Sequence, residues 1–253
     1  QMCIRDRDMH IAIVGGKRVR IRLADDLREE RSHSVSLSAD LYHTFGKVQT
    51  NLLVEGFYTI LDDVFALRDM DDAADGGKVK ERYNGSGATV RGFNVEGRAA
   101  FTRWFELQAG VTLQQSRYKE PEFWSEDAEV PPVRRMFRTP DAYGYFTASF
   151  KPVRNFTADL SGTCTGSMLV QHMAGSGVAQ DVAVSTPSFF DMNIRLSYDV
   201  RIYKEITMQL YGGVQNLFNA YQKDFDKGVD RDSGYIYGPS LPRSWFVGAK
   251  FSF

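Results

Sequence analysis

Four aspartates, Asp224, Asp226, Asp230 and Asp232, crowd around Gly228, and such a density of carboxylate oxygens is what a hard cation such as Ca²⁺ requires. The glycine falls one place early for an EF-hand loop, and Tyr235 stands where the bidentate glutamate would be. The competing use is a solvated loop whose carboxylates pair in part with Arg231 and Arg243. A second grouping lies in 119–141, where Phe123, Trp124, Met136 and Phe137 accompany Arg134, Arg135 and Arg138. His172 and Met173 occupy another polar stretch, 169–188. Aromatic faces beside cations suit capture of an anionic or aromatic-bearing ligand. Packing of loop on loop is the alternative for the same residues.

Other chemistries find little support. GxSxG, HExxH, Walker-type and GxGxxG patterns are absent, and His10, His33, His43 and His172 are dispersed, so neither a catalytic residue nor a cofactor is expected. Lys+Arg number 31 against 32 Asp+Glu, a formal net charge of -1, which offers no global field for nucleic acid. Cys3 and Cys164 make neither a CxxC nor a metal-spaced cluster, excluding a disulfide scaffold and a zinc site. No run of about 18 apolar residues occurs, which excludes a membrane-spanning helix and says nothing of a barrel. Residues 1–8 look like translated sequencing-adapter sequence and are set aside from fold reasoning.

The elements that position these groups announce themselves by period-two alternation. Phe105, Leu107, Ala109, Val111 and Leu113 are apolar, while Glu106, Gln108, Gly110, Thr112 and Gln114 between them are polar or glycine. Only a strand sends two such sets to opposite faces. The pattern returns in Phe190, Met192, Ile194, Leu196, Tyr198 and Val200, and in Val35, Leu37, Ala39 and Leu41; nine strands are expected from residue 33 onward.

Tight links near 44–47, 99–103, 151–155 and 201–205 alternate strictly with long polar segments near 68–86, 119–141, 169–188 and 219–243. Soluble sandwiches mix loop lengths at both ends, whereas an outer-membrane barrel keeps short turns on the periplasmic rim and long loops on the other. The expected fold is therefore an all-β, antiparallel transmembrane barrel. Phe45, Trp104, Phe105, Tyr118, Tyr143, Tyr145, Phe156, Phe189, Tyr203, Phe218 and Tyr221 fall near strand ends, as two aromatic girdles would. Polar residues such as Glu106, Gln114, Asp159, Asp191 and Arg195 would face the lumen. Residues 9–32, with Val19, Ile21 and Leu23 against Arg18, Arg20 and Arg22, are expected to be an outer loop or strand extension.

From residue 25 to the end the chain resembles the barrel of TonB-dependent outer-membrane receptors, particularly those of Bacteroidetes. Leu27-Arg28-Glu29-Glu30-Arg31-Ser32 is similar to the family's Leu-x-Pro-Glu-x-Ser entry to a descending strand, with Glu29 in place of Pro. Asn216-Leu217-Phe218-Asn219-Ala220-Tyr221 resembles the near-terminal Asn-Leu-Phe-Asn-x-Tyr. Asp224, Asp226, Arg231, Asp232, Tyr235, Tyr237, Gly238, Pro239, Pro242 and Arg243 resemble the last outer loop, and Gly248, Phe251 and Phe253 the barrel-assembly signal, with Phe246 where a polar residue is usual.

The resemblance implies the last nine strands, 33–253, of a 22-stranded barrel, with plug and TonB box upstream of a truncated reading frame. It also implies import of a nutrient complex such as a siderophore, cobalamin or glycan. The implied partners are outer-membrane lipid, the barrel-assembly machinery, TonB acting through the upstream part, and a surface lipoprotein. A plug-less diffusion porin or another outer-membrane β-barrel is the alternative that the strand pattern leaves open.

Overall fold

The computed structural model describes residues 10–14, 17–70, 78–125, 127–203 and 205–253; the adapter-like stretch 1–8, with Cys3, lies outside the described residues. The chain opens on β1 (His10–Val14) and β2 (Lys17–Leu23), followed by β3 (Arg31–Phe45) and β4 (Val48–Asp62). A loop hairpin, β5 (Phe65–Met70) and β6 (Lys78–Asn84), precedes β7 (Ala88–Thr102) and β8 (Phe105–Glu122). Short β9 (Val133–Arg135) folds back on β8 ahead of β10 (Ala142–Val153) and β11 (Phe156–Thr165). A second loop hairpin, β12 (Leu169–His172) and β13 (Val182–Ser185), leads to β14 (Phe189–Tyr203), β15 (Ile206–Gln215) and β16 (Ser244–Ser252).

The long strands form one antiparallel meander, β3-β4-β7-β8-β10-β11-β14-β15-β16, nine strands that match the alternation read from the sequence. Its register puts the apolar sets side by side. Ala39 pairs with Val54, Val54 with Val95, Val95 with Val111, Val111 with Gly144 and Gly144 with Cys164, so one apolar row crosses six strands. The row continues where Leu160 meets Ile194, Ile194 meets Val214 and Val214 meets Trp245. A sandwich would cover this face with a second sheet. Here it is open, with Leu37 81% and Val247 90% exposed, as suits strands whose outer face meets lipid.

The opposite face is polar and cross-linked. Asn94 donates to Glu55 at 2.9 Å, Tyr145 to Glu96 at 2.6 Å, and Ser149 to Asp159 at 2.6 Å. Arg98 pairs with Glu106, and Arg195 lies 4.7 Å above the Tyr211 ring. Tyr211 in turn lies across Gly248, where a Cβ would come within 2.5 Å of the ring, so the position accepts only glycine without a shift.

Tyr143 and Tyr145 belong to this inner face, because the apolar set of β10 is Ala142, Gly144, Phe146 and Ala148. They are not girdle residues, and Phe189, 9% exposed, points under a loop. The short-turn rim does carry an aromatic cluster. Phe101 stacks on Phe105 at 5.2 Å, Phe105 on Phe150 at 4.6 Å, and Trp104 flanks Phe105.

All the long connections leave the other rim and carry structure of their own. β2 pairs in parallel with β6, giving an outer four-stranded sheet β1-β2-β6-β5, so 10–14 and 17–23 join a loop hairpin there, while Arg31 and Ser32 already belong to β3. The sheet's base is tied down by Asn84, whose side chain accepts from Arg28 N at 2.6 Å and donates to the Arg28 and Asp63 carbonyls.

Candidate functional site: the outer-loop assembly

Among the described residues, the cluster of buried apolar side chains lies at the long-loop rim of the main sheet and not along its strands. Val170, Phe189, Tyr235 and Tyr237 form it, with Met168, Val184 and Ala220 against it, all supplied by the last two outer connections and the strand ends beneath them. Residues 216–243 span the connection between β15 and β16, and Asn216 closes it. Its carboxamide donates to the Ala220 and Leu241 carbonyls, both at 2.8 Å, and its oxygen accepts from Ala220 N. Asn216 and Asn219 have φ of 50° and 52°, a left-handed conformation that asparagine tolerates better than most residues.

Farther along, the fully buried Gln222 donates to the Tyr235 carbonyl at 3.1 Å and accepts from Tyr237 N at 2.9 Å, holding the two arms of the loop together. Asp224 accepts from the hydroxyls of Tyr235, at 2.7 Å, and Tyr237, at 2.5 Å. Burial works against its ionisation, but the two phenols, together with a backbone N–H and Gln222, outweigh it and hold the Asp224 carboxyl below the usual carboxylate range. Tyr237 is pushed up to about 12 by burial and by donation to Asp224, and burial with the same acceptor drives Tyr235 up as well. Gly238, at φ 82°, lies against the Phe189 ring, 2.8 Å from where a Cβ would sit.

The acidic loop is thus a hydrogen-bonded network. Asp226 accepts from Asp232 N at 3.1 Å and contacts His172 Nε2 through both oxygens at 3.0 Å. Burial again opposes ionisation, and these donors overcome it to lower the Asp226 pKa. Asp232 accepts from Met173 N at 2.8 Å and Gly234 N at 2.8 Å. The Asp230 carbonyl accepts from Ser176 N. Three of the four carboxylates thus face protein donors where a cation would have to stand, and no metal-holding group of three or more ligand side chains forms among the described residues. Arg231 donates to the Gly228 carbonyl at 3.0 Å and Arg243 N to Asn219 at 2.9 Å, while the Pro242 carbonyl accepts from Ser244. Among the described residues, neither arginine forms an ion pair with these aspartates.

The cations expected to meet a ligand are also engaged. Arg138 donates to the Ile236 carbonyl at 2.9 Å and to the Gly234 carbonyl; Arg135 bonds the Ser167 carbonyl at 2.8 Å and Asp141 at 3.1 Å. His172 is buried and stacks on Tyr235 at 3.7 Å. Arg134 remains on the surface, 3.9 Å from Glu120. Ser125 donates to Asp181 and Gln180 to Asp127, completing a clasp between the second and third outer connections.

Between this assembly and the outer four-stranded sheet lies a cleft of about 730 Å³. Phe65 and Leu67 come from the sheet; Tyr118, Glu122, Phe123, Trp124 and Phe137 come from the end of β8 and the loop after it; Met173 and residues 229–233 form the far side. Of the residues singled out for ligand capture, the fold brings Phe123 and Trp124 here, with Arg231, Asp230 and Asp232, whereas Arg134, Arg135, Arg138 and His172 do not line it. Pro239, with Gly238, borders a separate space of about 240 Å³ beneath the last loop. Gln222, Asn84 and Glu122 were not singled out from the sequence.

A family model described as the TonB dependent receptor-like beta-barrel matches residues 12–217. The chain belongs to this family. Solved barrels agree with that assignment in fold. The chain is similar to the ferric-catecholate import receptor Fiu from E. coli K12 at 18% identity and TM-score 0.59, covering 89% of this chain and 28% of that one. The siderophore receptor PirA from Acinetobacter baumannii matches at 16% identity and TM-score 0.58, covering 97% and 36%. The copper transporter OprC matches at 13% and TM-score 0.61, covering 90% and 32%. The chain thus spans about a third of the length of the solved chains it matches. No curated protein matches it in sequence. As a TonB-dependent receptor segment, the nine-stranded sheet is part of a larger barrel, and its two edge strands, β3 and β16, are where such a barrel would continue.

Proposed function

We propose that this chain is the C-terminal barrel segment of an outer-membrane receptor that imports a scarce nutrient complex under the drive of TonB. The observation that carries the proposal is the open cleft on the long-loop rim. The outer connections fold into a bonded assembly with its own core and leave a ligand-sized space, as pockets of about 300–1,000 Å³ do elsewhere. In this reading the loops capture the ligand and an upstream plug, pulled by TonB, releases it inward. Gly248, Phe251 and Phe253 would present the terminal strand to the barrel-assembly machinery, and the open apolar face would contact lipid. A lipoprotein at the cell surface is a further partner the outer rim could receive.

The test uses the intact receptor that carries these strands, expressed in a host lacking its own siderophore and cobalamin receptors. Uptake of radiolabelled ferric siderophores and cobalamin is measured with and without a protonophore. Energy-dependent uptake of one of them is expected. Uptake of small sugars in proportion to their concentration, unaffected by the protonophore, would identify a diffusion porin and overturn the proposal.

A further inference from the structure

The aromatic residues of 119–141 stand among arginines in the chain, and that adjacency points to an anionic ligand. The fold separates the two. Arg135 and Arg138 are held against loop carbonyls and Asp141, and Arg134 stays outside the cleft. The ionisable group set among the aromatic walls is instead a carboxylate, Glu122, at the end of β8 beyond its last pairing with β7.

Glu122 is half-buried. Among the described residues its polar contact is the Tyr83 hydroxyl, long at 3.4 Å, and no cation pairs with it. Its other oxygen faces the backbone of Gly85, where an added Cβ would still be 3.6 Å away. Around the same cleft stand Phe65, Tyr118, Phe123, Trp124 and Phe137, with the Trp124 and Phe137 rings edge to face at 5.4 Å. Withdrawing a carboxylate from water without a partner is costly, and a site that keeps one in that state gains when a cation arrives. Aromatic faces add attraction for the same kind of ligand, because the ring quadrupole is negative over the face.

The other charged groups of the lining do not reverse this sign. Three carboxylates, Glu122, Asp230 and Asp232, stand against Lys80 and Arg231; Asp232 is occupied by Met173 N and Gly234 N, and the Arg231 guanidinium is directed at the Gly228 carbonyl. Lys80, on the outer sheet, has an interaction of its own.

We infer that the cleft between the outer sheet and the loop assembly binds an organic cation: a protonated amine or quaternary ammonium carried on an aromatic or alkyl body. The charge seats against Glu122 and the body lies between Trp124, Phe123 and Phe65. The inference names the ligand chemistry for the receptor reading above and rests on it for physiological meaning, but equilibrium binding tests it without transport.

The experiment takes the purified intact receptor and two probes of matched body and opposite charge, 2-phenylethylammonium and 3-phenylpropionate. Binding is followed by tryptophan fluorescence and saturation-transfer NMR. The cation is expected to bind on the order of tenfold more tightly than the anion, a difference of about 1.4 kcal/mol. Glu122→Gln should remove that preference while Trp124→Ala weakens both probes, and retained heat-modifiable mobility certifies each variant as folded. Equal affinity for the two probes, tighter binding of the anion, or an undiminished preference in Glu122→Gln would each overturn the inference. If the preference holds while uptake proves insensitive to the protonophore, the transport reading fails and the binding site stands; energised uptake without the preference has the opposite meaning.

Discussion

The main sheet and the outer loops solve the problem of burial in opposite ways. Every residue of β3 is exposed, and large apolar side chains such as Val35, Leu37, Trp245 and Val247 face outward, so this sheet needs lipid and neighbouring strands to complete it. The outer loops bury Val170, Tyr235, Tyr237 and Gln222 almost completely within themselves. One region is regular in sequence and unfinished on its own; the other is irregular in sequence and finished. A barrel lets membrane and ladder hydrogen bonds do the work of a core, whereas loops in water need a core and a full account of their polar groups.

The sharpest way to break this comparison is to exchange the solvents of the two faces. Val111→Arg, on the outward row, should cost roughly 2–4 kcal/mol of membrane stability if its site lies near the midplane. Gln108→Arg, three residues away on the inner face, should cost much less. Urea titration of the intact receptor in vesicles, read by heat-modifiable mobility, measures both; equal losses would deny that the faces differ.

A smaller effect, confined to the loops, is expected from Gln222→Ala. It strands the Tyr237 N–H and the Tyr235 carbonyl, at roughly 1–3 kcal/mol for buried unsatisfied groups. Hydrogen exchange should rise across 216–243 while the sheet keeps its protection. If strands β14 and β15 loosen equally, the two regions are one cooperative unit.

Acid should sharpen the same contrast. Asp224 and Asp226 have lowered pKa values because their protein donors outweigh the burial that opposes ionisation. Above the ordinary carboxylate pKa of about 3.9 their stabilisation is complete. Below it the unfolded loop takes up protons first, and the stabilisation is lost as the pH falls through the lower folded values. Protease sensitivity of the outer loops should therefore stay flat from neutral pH down to the usual carboxylate range and rise only beneath it. An earlier rise would mean these carboxylates are not held in this network.

The smallest effect belongs to Arg134→Ala. Its 3.9 Å approach to Glu120 is between largely exposed side chains, and such pairs contribute about 0–1 kcal/mol. No measurable change in loop protection is expected.

Sequence pattern and structure part company along the same boundary. Nine strands and the alternation of tight turns with long connections were legible because a two-faced sheet between lipid and lumen imposes period two on every strand. The four-stranded outer sheet was not legible: β2 finds β6 across a long stretch of chain, and the Asn84 clasp on Arg28 spans 56 residues. The landmark loop could be located by Tyr235, Gly238 and Pro239, yet nothing local in the sequence distinguishes Asp224, which receives two phenols, from a cation ligand. Chain adjacency also placed Arg135 and Arg138 beside Trp124, while their guanidinium groups reach partners on other connections, Arg138 as far as residues 234 and 236. Gln222 and Glu122 carried no signal, since each takes its role from non-local neighbours.

The central claim, that this sheet crosses a membrane with odd-numbered residues of β8 outward, is tested most directly by single cysteines at 105–114 in the intact receptor with its native cysteines, Cys164 among them, replaced. A bimane label at each position is exposed to brominated lipid in vesicles. Quenching should alternate with period two, strong at 107, 109, 111 and 113 and weak at 106, 108, 112 and 114. Quenching without alternation, or none at any position, would contradict the account and leave these strands outside the bilayer.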